Sequence, residues 1–425
     1  MTARIRQFER IADLPILLVH APAEGRKLVA RLRSRPFRFL CAVAHTDTSE
    51  IPDISAAGET PALRRLTAAA DAEALRHGRP RCMQGVPSNP RGAPGPVIIT
   101  LAGLGLAGVT ATVFDVGLRV RPDAPTVKID RRWGASIVSG RAVPHAAELF
   151  ERGYAWGEAL ARESRDDYLV VSESVPGGTT TALSLLCGLG IDAWGKVSGS
   201  MPGNVHRLKE RVVREALAAA SLDAPRAQPR TASHASHLSH PTVASCRSCP
   251  SCPTAPLGVT AAVGDPMQPF VAGLALAAHL RLPVLLAGGS QMAAVLALAL
   301  QQAAHASLPV ARENLAVVTT GWVARDPAAD LAGLARQVAA PGSASEREVP
   351  FLASDVPFGG SRHASLRRYE DFLVKEGVGA GAALVAAALK TGADRASLLT
   401  AVEAVYDDIY GSGSEDMGGP DTITR

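Results

Sequence analysis

The sequence predicts an α/β protein built on a doubly wound, mainly parallel sheet. Three observations carry this. From about Asp167 onward, short apolar runs rich in Val and Leu alternate with longer Ala/Leu stretches of helical period. The short runs are apolar throughout, as strands covered on both faces are, rather than alternating with polar residues. Of 425 residues, 47% are hydrophobic and 20% charged, which supplies a sizeable core and excludes general disorder.

Taken in order, Tyr168–Ser172 reads as a strand and Thr179–Leu189 as a helix. Val205–Ala220 reads as a second helix with its Arg and Lys on the solvent side. Val259–Val263, Pro283–Ala287 and Leu315–Thr319 are further strand candidates. The uncharged run Val97–Phe114 approaches membrane-spanning length, but three glycines and three threonines divide it into two short buried segments around a Gly turn. No membrane partner is expected. Ser221–Pro256 turns to Ser, Pro, Ala, His and Cys and reads as a flexible insertion, and Gly411–Arg425 as a frayed tail.

Charge narrows the function classes. Forty-four basic and 40 acidic side chains leave a net +4, which gives no general reason to expect nucleic acid while leaving a local anion site open. Six cysteines, three of them crowded into one segment, make no disulfide framework and fit a reducing compartment. The amino end lacks a charged, apolar and small-residue succession, so a cytoplasmic location is the expectation.

The strongest constellation is Tyr168-Leu-Val-Val-Ser-Glu173-Ser-Val-Pro-Gly177-Gly178-Thr179-Thr180-Thr181, a strand leading through a Gly-rich turn into a helix. At the carboxyl end of such a strand the helix N-terminus offers unpaired N–H groups to an anion. Gly177 and Gly178 let phosphate approach the backbone. Thr179 to Thr181 supply hydroxyls, one of them as a helix cap, and Glu173 sits where a polar ligand group arrives. The spacing fits neither a Walker A loop nor a Rossmann fingerprint, which disfavours an ATPase or a dehydrogenase. A plain tight turn with capping threonines is the alternative reading.

Val374-Lys375-Glu376-Gly377-Val378-Gly379-Ala380-Gly381 repeats the device, placing a second carboxylate against Gly-rich backbone before an apolar helix. Two such acids point to one crevice. Close helix packing is the other explanation for Gly379 and Gly381, but it leaves Glu376 unexplained.

Together these segments resemble nicotinate-nucleotide:dimethylbenzimidazole phosphoribosyltransferase and a related, less characterised family of similar length from cobalamin-using microbes. Glu173–Thr180 is similar to the family's Gly-Glu-Met-Gly-Ile-Gly-Asn-Thr-Thr motif, and Glu376-Gly-Val-Gly-Ala to its Glu-Gly-Thr-Gly-Ala motif. Ile54-Ser-Ala-Ala-Gly58, the Thr67–Leu75 stretch with Asp71, and Gly264-Asp265-Pro-Met-Gln268-Pro resemble the less characterised branch. Coverage from about Phe39 to Tyr410 leaves 1–38 as an amino-terminal extension, 39–410 as the main domain interrupted by 221–256, and 411–425 as a disordered tail.

The resemblance implies a smaller helical part contributed by the chain's two ends, a homodimer, and no metal or redox cofactor. It also implies transfer of the ribosyl phosphate of nicotinate mononucleotide to a benzimidazole-type base. Glu376 matches the family's general base. Glu173, Gly177, Gly178, Thr179, Thr180, Lys209, Gly288, Ser290, Gly377 and Gly379 are the expected substrate-binding positions. Departures stand at Gly178 for the family Asn, Ser172 for its leading Gly, and Ala287 for the Asp of a Val-Leu-Asp-Gly segment. Ser290 and Gln291 are the candidates to replace those groups, with a helix cap as the alternative role for Ser290. These losses support a rival function, a non-catalytic nucleotide sensor using the same crevice.

Cys246, Cys249 and Cys252, preceded by His234, His237 and His240, have zinc-ligand chemistry, but the low-complexity setting favours a solvated linker and no metal. His45 with Asp47 reads as structural or as lining the crevice, and Trp194 and Trp322 as packing or as stacking on a flat base.

Overall fold

The computed structural model describes residues 7–58, 60–89, 91–164, 166–201, 205–222, 254–339 and 347–411. Its strands, in chain order, are β1 (Glu9–Arg10), β2 (Ile16–His20), β3 (Phe37–Val43), β4 (Thr112–Asp115), β5 (Val127–Lys128), β6 (Tyr168–Ser174), β7 (Val284–Ala287), β8 (Leu315–Thr320) and β9 (Phe351–Ser354). They form one sheet in the order β1-β2-β9-β8-β7-β6-β3-β4-β5. Every pairing from β9 to β5 is parallel, whereas β2 runs antiparallel to both β9 and β1. The expected mainly parallel, doubly wound sheet is therefore the observed one.

Continuous burial explains the apolar runs. Phe39, Cys41 and Val43 of β3, with Tyr168 and Val170 of β6, face a core completed by helices Pro22–Leu32, Pro61–His77, Val97–Ala107, Ala380–Thr391 and Arg395–Tyr410. Leu40, Ala42, Leu169 and Val171 face the opposite core with helices Ala146–Glu163, Gly178–Gly188, Pro256–Val263, Met267–Ala278, Ser290–Ala306 and Leu331–Val338. On that second face small residues set the closest approach. A Cβ on Gly153 would lie 1.9 Å from the Phe270 carbonyl oxygen, and one on Gly273 would lie 2.2 Å from that of Phe150.

Several expectations need correction. Val259–Val263 is not a strand but the end of helix Pro256–Val263. Pro256 occupies the first turn, where its missing N–H costs nothing, and five residues, four of them apolar, carry no period that separates strand from helix. Helix His206–Ala219 has its predicted extent, yet Lys209 is buried at 1% exposure and leaves the solvent face. Part of segment 1–38 is woven into the sheet as β1, β2 and the start of β3, because the Ile16–His20 run is itself a buried strand. Val97–Phe114 divides at Gly108, as expected, into a helix and β4.

Among the described residues no helix is long and apolar enough to cross a membrane. Most of the Ser221–Pro256 insertion, including Cys246, Cys249 and Cys252, lies outside the described residues, as does the tail beyond Gly411.

Candidate functional site

The strand order reverses between β3 and β6, since β4 and β5 continue on one side of β3 while β6 to β8 continue on the other. A crevice forms beyond the carboxyl ends of strands at such a point. Here it holds a pocket of about 880 Å³, part of it open to solvent. Glu173 and Ser174 of β6, the Gly177–Thr179 turn, the Gly289–Gln291 loop after β7, Asp71, Ser198 and the Val374–Val378 segment all line it. The two acids singled out in the sequence thus converge on a single cavity, although they stand far apart along the chain.

Glu173 is 2% exposed. Its Oε2 accepts from the Val175 N–H at 3.0 Å and from Gln291 Nε2 at 2.7 Å. Burial, reinforced by the negative charges of Asp265 and Glu376, pushes its carboxyl up to about 8 against those hydrogen bonds. Glu376 is partly open to the pocket. Thr319 Oγ1 donates to its Oε2 at 2.8 Å, while the N–H groups of Gly377 and Gly381 donate to Oε1 at 3.2 and 3.3 Å. Enclosure still pushes this carboxyl up to about 7.

The backbone around Glu376 is set by two contacts. Gly379 has φ 71°, and a Cβ there would lie 2.6 Å from the Ser172 Cβ, so the chain lies flat on the strand ends. Gly381 lies against Thr319 of β8, with a would-be Cβ 2.0 Å from the Thr319 carbonyl carbon. Both glycines therefore serve the packing role weighed in the sequence, and that packing is what presents Glu376.

Gly177 starts helix Gly178–Gly188 in a left-handed conformation with φ 77°, and no side chain caps this helix. The expected threonine cap does not form because all three hydroxyls lie inside the helix rather than before it. Thr181 Oγ1 donates instead to Asp265 Oδ2 at 2.5 Å, and Thr180 is fully buried behind the pocket wall. Thr179 lines the pocket and accepts from Lys209 Nζ at 3.0 Å.

Lys209 is buried beside a second buried lysine, Lys375, whose Nζ donates to Asp326 Oδ2 at 2.9 Å. Burial, then the Lys375 charge, push Lys209 down to about 7 against the attraction of Asp326. Burial also lowers Lys375, again against Asp326. Ser198 Oγ donates to the same Asp326 oxygen at 2.7 Å, and the Ser198 N–H donates to Ser290 Oγ at 2.9 Å. Ser290 thus lines the pocket as the first residue of its helix rather than as the cap, which is Gly289.

Of the remaining expected positions, Gly178 and Gly377 line the pocket, whereas Gly288 and Gly379 stand behind its wall. The Asn missing at 178 has a spatial replacement. A Cβ on Gly178 would fall 2.1 Å from Gln291 Nε2, so the Gln291 amide fills that space. Ala287 packs under Gly379 beside Ser172 of β6.

Sequence reasoning leaves Lys375, Asp326, Ser198 and Asp71 out of the site. Lys375 and Asp71 stand within the motifs but carry no family role, and Asp326 and Ser198 carry no local signal because only the fold brings them together. His45 is 1% exposed, with Asp47 and Glu50 oxygens 3.6 and 3.5 Å from its Nε2, a grouping suited in principle to a metal. Arg119 already bridges those two carboxylates at 3.0 and 2.7 Å, and neither His45 nor Asp47 lines the pocket. Trp322 is buried against Phe358 and Tyr369, and Arg214 lies over the ring of Trp194, so both tryptophans pack rather than line the pocket.

Among solved structures, CobT from Thermus thermophilus shares the fold with a TM-score of 0.52 and 19% identity, over 93% of this chain and 94% of that one. The nicotinate-nucleotide-dimethylbenzimidazole phosphoribosyltransferase of the same organism gives 0.50 and 19%, over 92% of each chain. No protein-family model matches the chain. Sequence relatives are much nearer. A UPF0284 protein of Gloeobacter violaceus is 42% identical over 388 residues, covering 90% of this chain and 91% of its own. A UPF0284 protein of Methanothermobacter thermautotrophicus is 38% identical over 354 residues, 83% of this chain and 87% of its own. The chain belongs to the UPF0284 family, the less characterised branch that its motifs resemble, and carries it on a CobT-like fold.

Proposed function

We propose that the protein transfers the phosphoribosyl group of nicotinate mononucleotide to a benzimidazole-type base in cobalamin lower-ligand assembly. The observation that carries this is the convergence of Glu173 and Glu376 on one pocket, beside a Gly-rich helix start and two buried lysines. In this reading the ribose phosphate lies against the Gly177–Thr179 turn, Ser290 and Lys375, where N–H groups and ammonium charge meet an anion. Lys209, one hydrogen bond behind Thr179 and pushed down to about 7, adds positive charge to that wall below that pH.

The acceptor's ring nitrogen attacks the anomeric carbon. The bond from that carbon to the nicotinate nitrogen breaks, its electron pair neutralises the pyridinium ring, and Glu376 takes the proton from the acceptor ring. A carboxyl shifted to about 7 is suited to that task near neutral pH. Glu173, shifted to about 8, holds its proton there and donates to a ribose oxygen. Holding both partners in one cavity supplies much of the rate, since geometry replaces a bimolecular encounter.

Cytoplasmic location and a homodimer belong to this reading through the resemblance. The rival reading, a nucleotide sensor, draws support from the apolar Ala287 position. One assay separates them: purified protein is incubated with nicotinate mononucleotide and benzimidazole, and free nicotinate is measured. Release that disappears in Glu376→Gln supports transfer. Nucleotide binding without release, unchanged in Glu376→Gln, overturns it in favour of the sensor.

A further inference from the structure

We propose that His45, Asp47 and Glu50 form a second site, outside the pocket, that takes a first-row divalent cation in exchange for the Arg119 guanidinium. The proposal is independent of the transfer reading.

The ligand set follows from local geometry. His45 comes just after β3, and its backbone is fixed on two sides: its N–H donates to the Gly117 carbonyl at 2.9 Å, and its carbonyl accepts from the Gly134 N–H at 2.9 Å. The single 3₁₀ turn Asp47–Glu50 follows, capped by the Thr46 hydroxyl, which accepts from the Thr48 N–H. Residues three apart in such a turn eclipse one another, so Asp47 and Glu50 project on the same side. Their oxygens and His45 Nε2 all lie within 4.8 Å of one another.

Two observations mark this point as a cation position. His45 is 1% exposed, and its Nε2 makes no hydrogen bond among the described residues although it points at Asp47 Oδ1 and Glu50 Oε1, 3.6 and 3.5 Å away. A buried polar atom so placed is satisfied by a bound ion or water. Independently, Arg119 Nη1 donates to the same two oxygens at 3.0 and 2.7 Å, so positive charge is already accommodated there. A metal bound at about 2.1 Å with tetrahedral angles holds its ligand atoms about 3.4 Å apart, close to the spacing found.

Arg119 is replaceable. Its side chain is 32% exposed and its guanidinium lies 5.4 Å from the centre of the Trp133 ring, which gives it a second place to rest. Glu50 stays oriented without it, because Arg65 Nε and Nη2 donate to Oε1 and Oε2 at 2.8 and 2.7 Å, as the outer shell of a metal ligand does. One imidazole with two carboxylates suits manganese or zinc better than magnesium or calcium, which prefer oxygen alone. The turn also backs the pocket: a Cβ on Gly177 would lie 3.0 Å from Ser49 Cα, so a cation clamping Asp47 to Glu50 braces Gly177 from behind.

The test is titration of the full-length, chelator-treated protein with Mn2+, read by electron paramagnetic resonance. Manganese is the probe because the thiols of Cys246, Cys249 and Cys252 favour zinc. Saturable binding below about 1 mM is expected, together with a rise in Tm. His45→Ala should weaken binding at least about tenfold and cancel the rise in Tm. Arg119→Gln, which removes the competing cation, should tighten binding at least about threefold. A purely structural ion-pair cluster predicts otherwise for Arg119→Gln, a lower Tm with no gain in Mn2+ affinity, and that result overturns the proposal. So does the lack of saturable binding below about 1 mM, or binding unchanged in both variants, which places the ion elsewhere. If His45→Ala fails to melt cooperatively, Asp47→Asn, at a half-buried position, is read in its place with the same loss of affinity expected.

Discussion

Gln291 and Glu173 meet across the pocket wall, with the amide Nε2 donating to Oε2 at 2.7 Å from the space that a side chain at position 178 would need. Glycine at 178 and glutamine at 291 are therefore one structural unit. Gly178→Asn alone is expected to displace the amide and lower transfer at least about tenfold, since small misplacements at a reacting centre are costly. Gly178→Asn combined with Gln291→Ala should recover much of that loss. A double-mutant cycle on kcat/KM measures the coupling, and simple additivity would refute the pairing.

Removing the proton acceptor should abolish turnover without harming the fold. Glu376→Gln keeps the size of the side chain and removes a carboxylate that burial disfavours. The expected loss is about a hundredfold to ten-thousandfold in kcat. Thermal unfolding should show a Tm equal to or above that of the unaltered protein.

The pH–rate profile should be narrow. Glu376 must lose its proton near 7 and Glu173 must keep its own up to about 8, so kcat/KM is expected to peak between these values. Glu173→Gln, which cannot lose a proton, should erase the alkaline limb while the acid limb stays. Retention of both limbs in that variant would argue against the assigned roles.

Stability should carry the same signature with a defined sign. Glu173 titrates near 8 when folded against 4.5 ordinarily, so between those values the native state binds more protons than the unfolded chain. Its contribution therefore falls as pH rises through that window and levels off above it. Buried histidines such as His45 and His279, shifted downward by burial, act in the opposite sense. The difference in Tm between Glu173→Gln and the unaltered protein isolates the carboxyl: it should grow in the variant's favour from about pH 5 to about pH 8.

Lys375 and Asp326 are each 2% exposed, so this ion pair differs from the surface pairs elsewhere on the molecule. Lys375→Met is expected to cost about 3 kcal/mol in chemical denaturation, because an ammonium is taken from a buried carboxylate. It should also raise the KM for nicotinate mononucleotide more than it lowers kcat. Lys375→Arg, keeping the charge, should restore part of both.

Periodicity and continuous apolar character were enough to specify the parallel sheet and its helices, because burial on both faces leaves a direct imprint on composition. They failed at Val259–Val263, where four apolar residues and a threonine suit a strand and a helix equally. The motifs likewise placed Glu173, Gly177, Thr179 and Glu376 in the site, since a Gly-rich turn after a strand has local steric requirements that any reader of the chain can see. They also pointed to Thr180 and Gly379, and the resemblance to Gly288, none of which lines the cavity.

By itself, then, the amino-acid order determined the fold class, the two Gly-rich turns and the two acids, all of which are consequences of interactions between near neighbours along the chain. The tertiary structure alone decided that those acids share one cavity, that Lys209 is buried against Thr179 rather than exposed, that Gln291 fills the space beside Gly178, and that Asp71 joins the same cavity held by Ser174. The physical reason is that burial, charge pairing and unmet hydrogen bonds depend on which distant segments the sheet order brings together, and no local pattern encodes that.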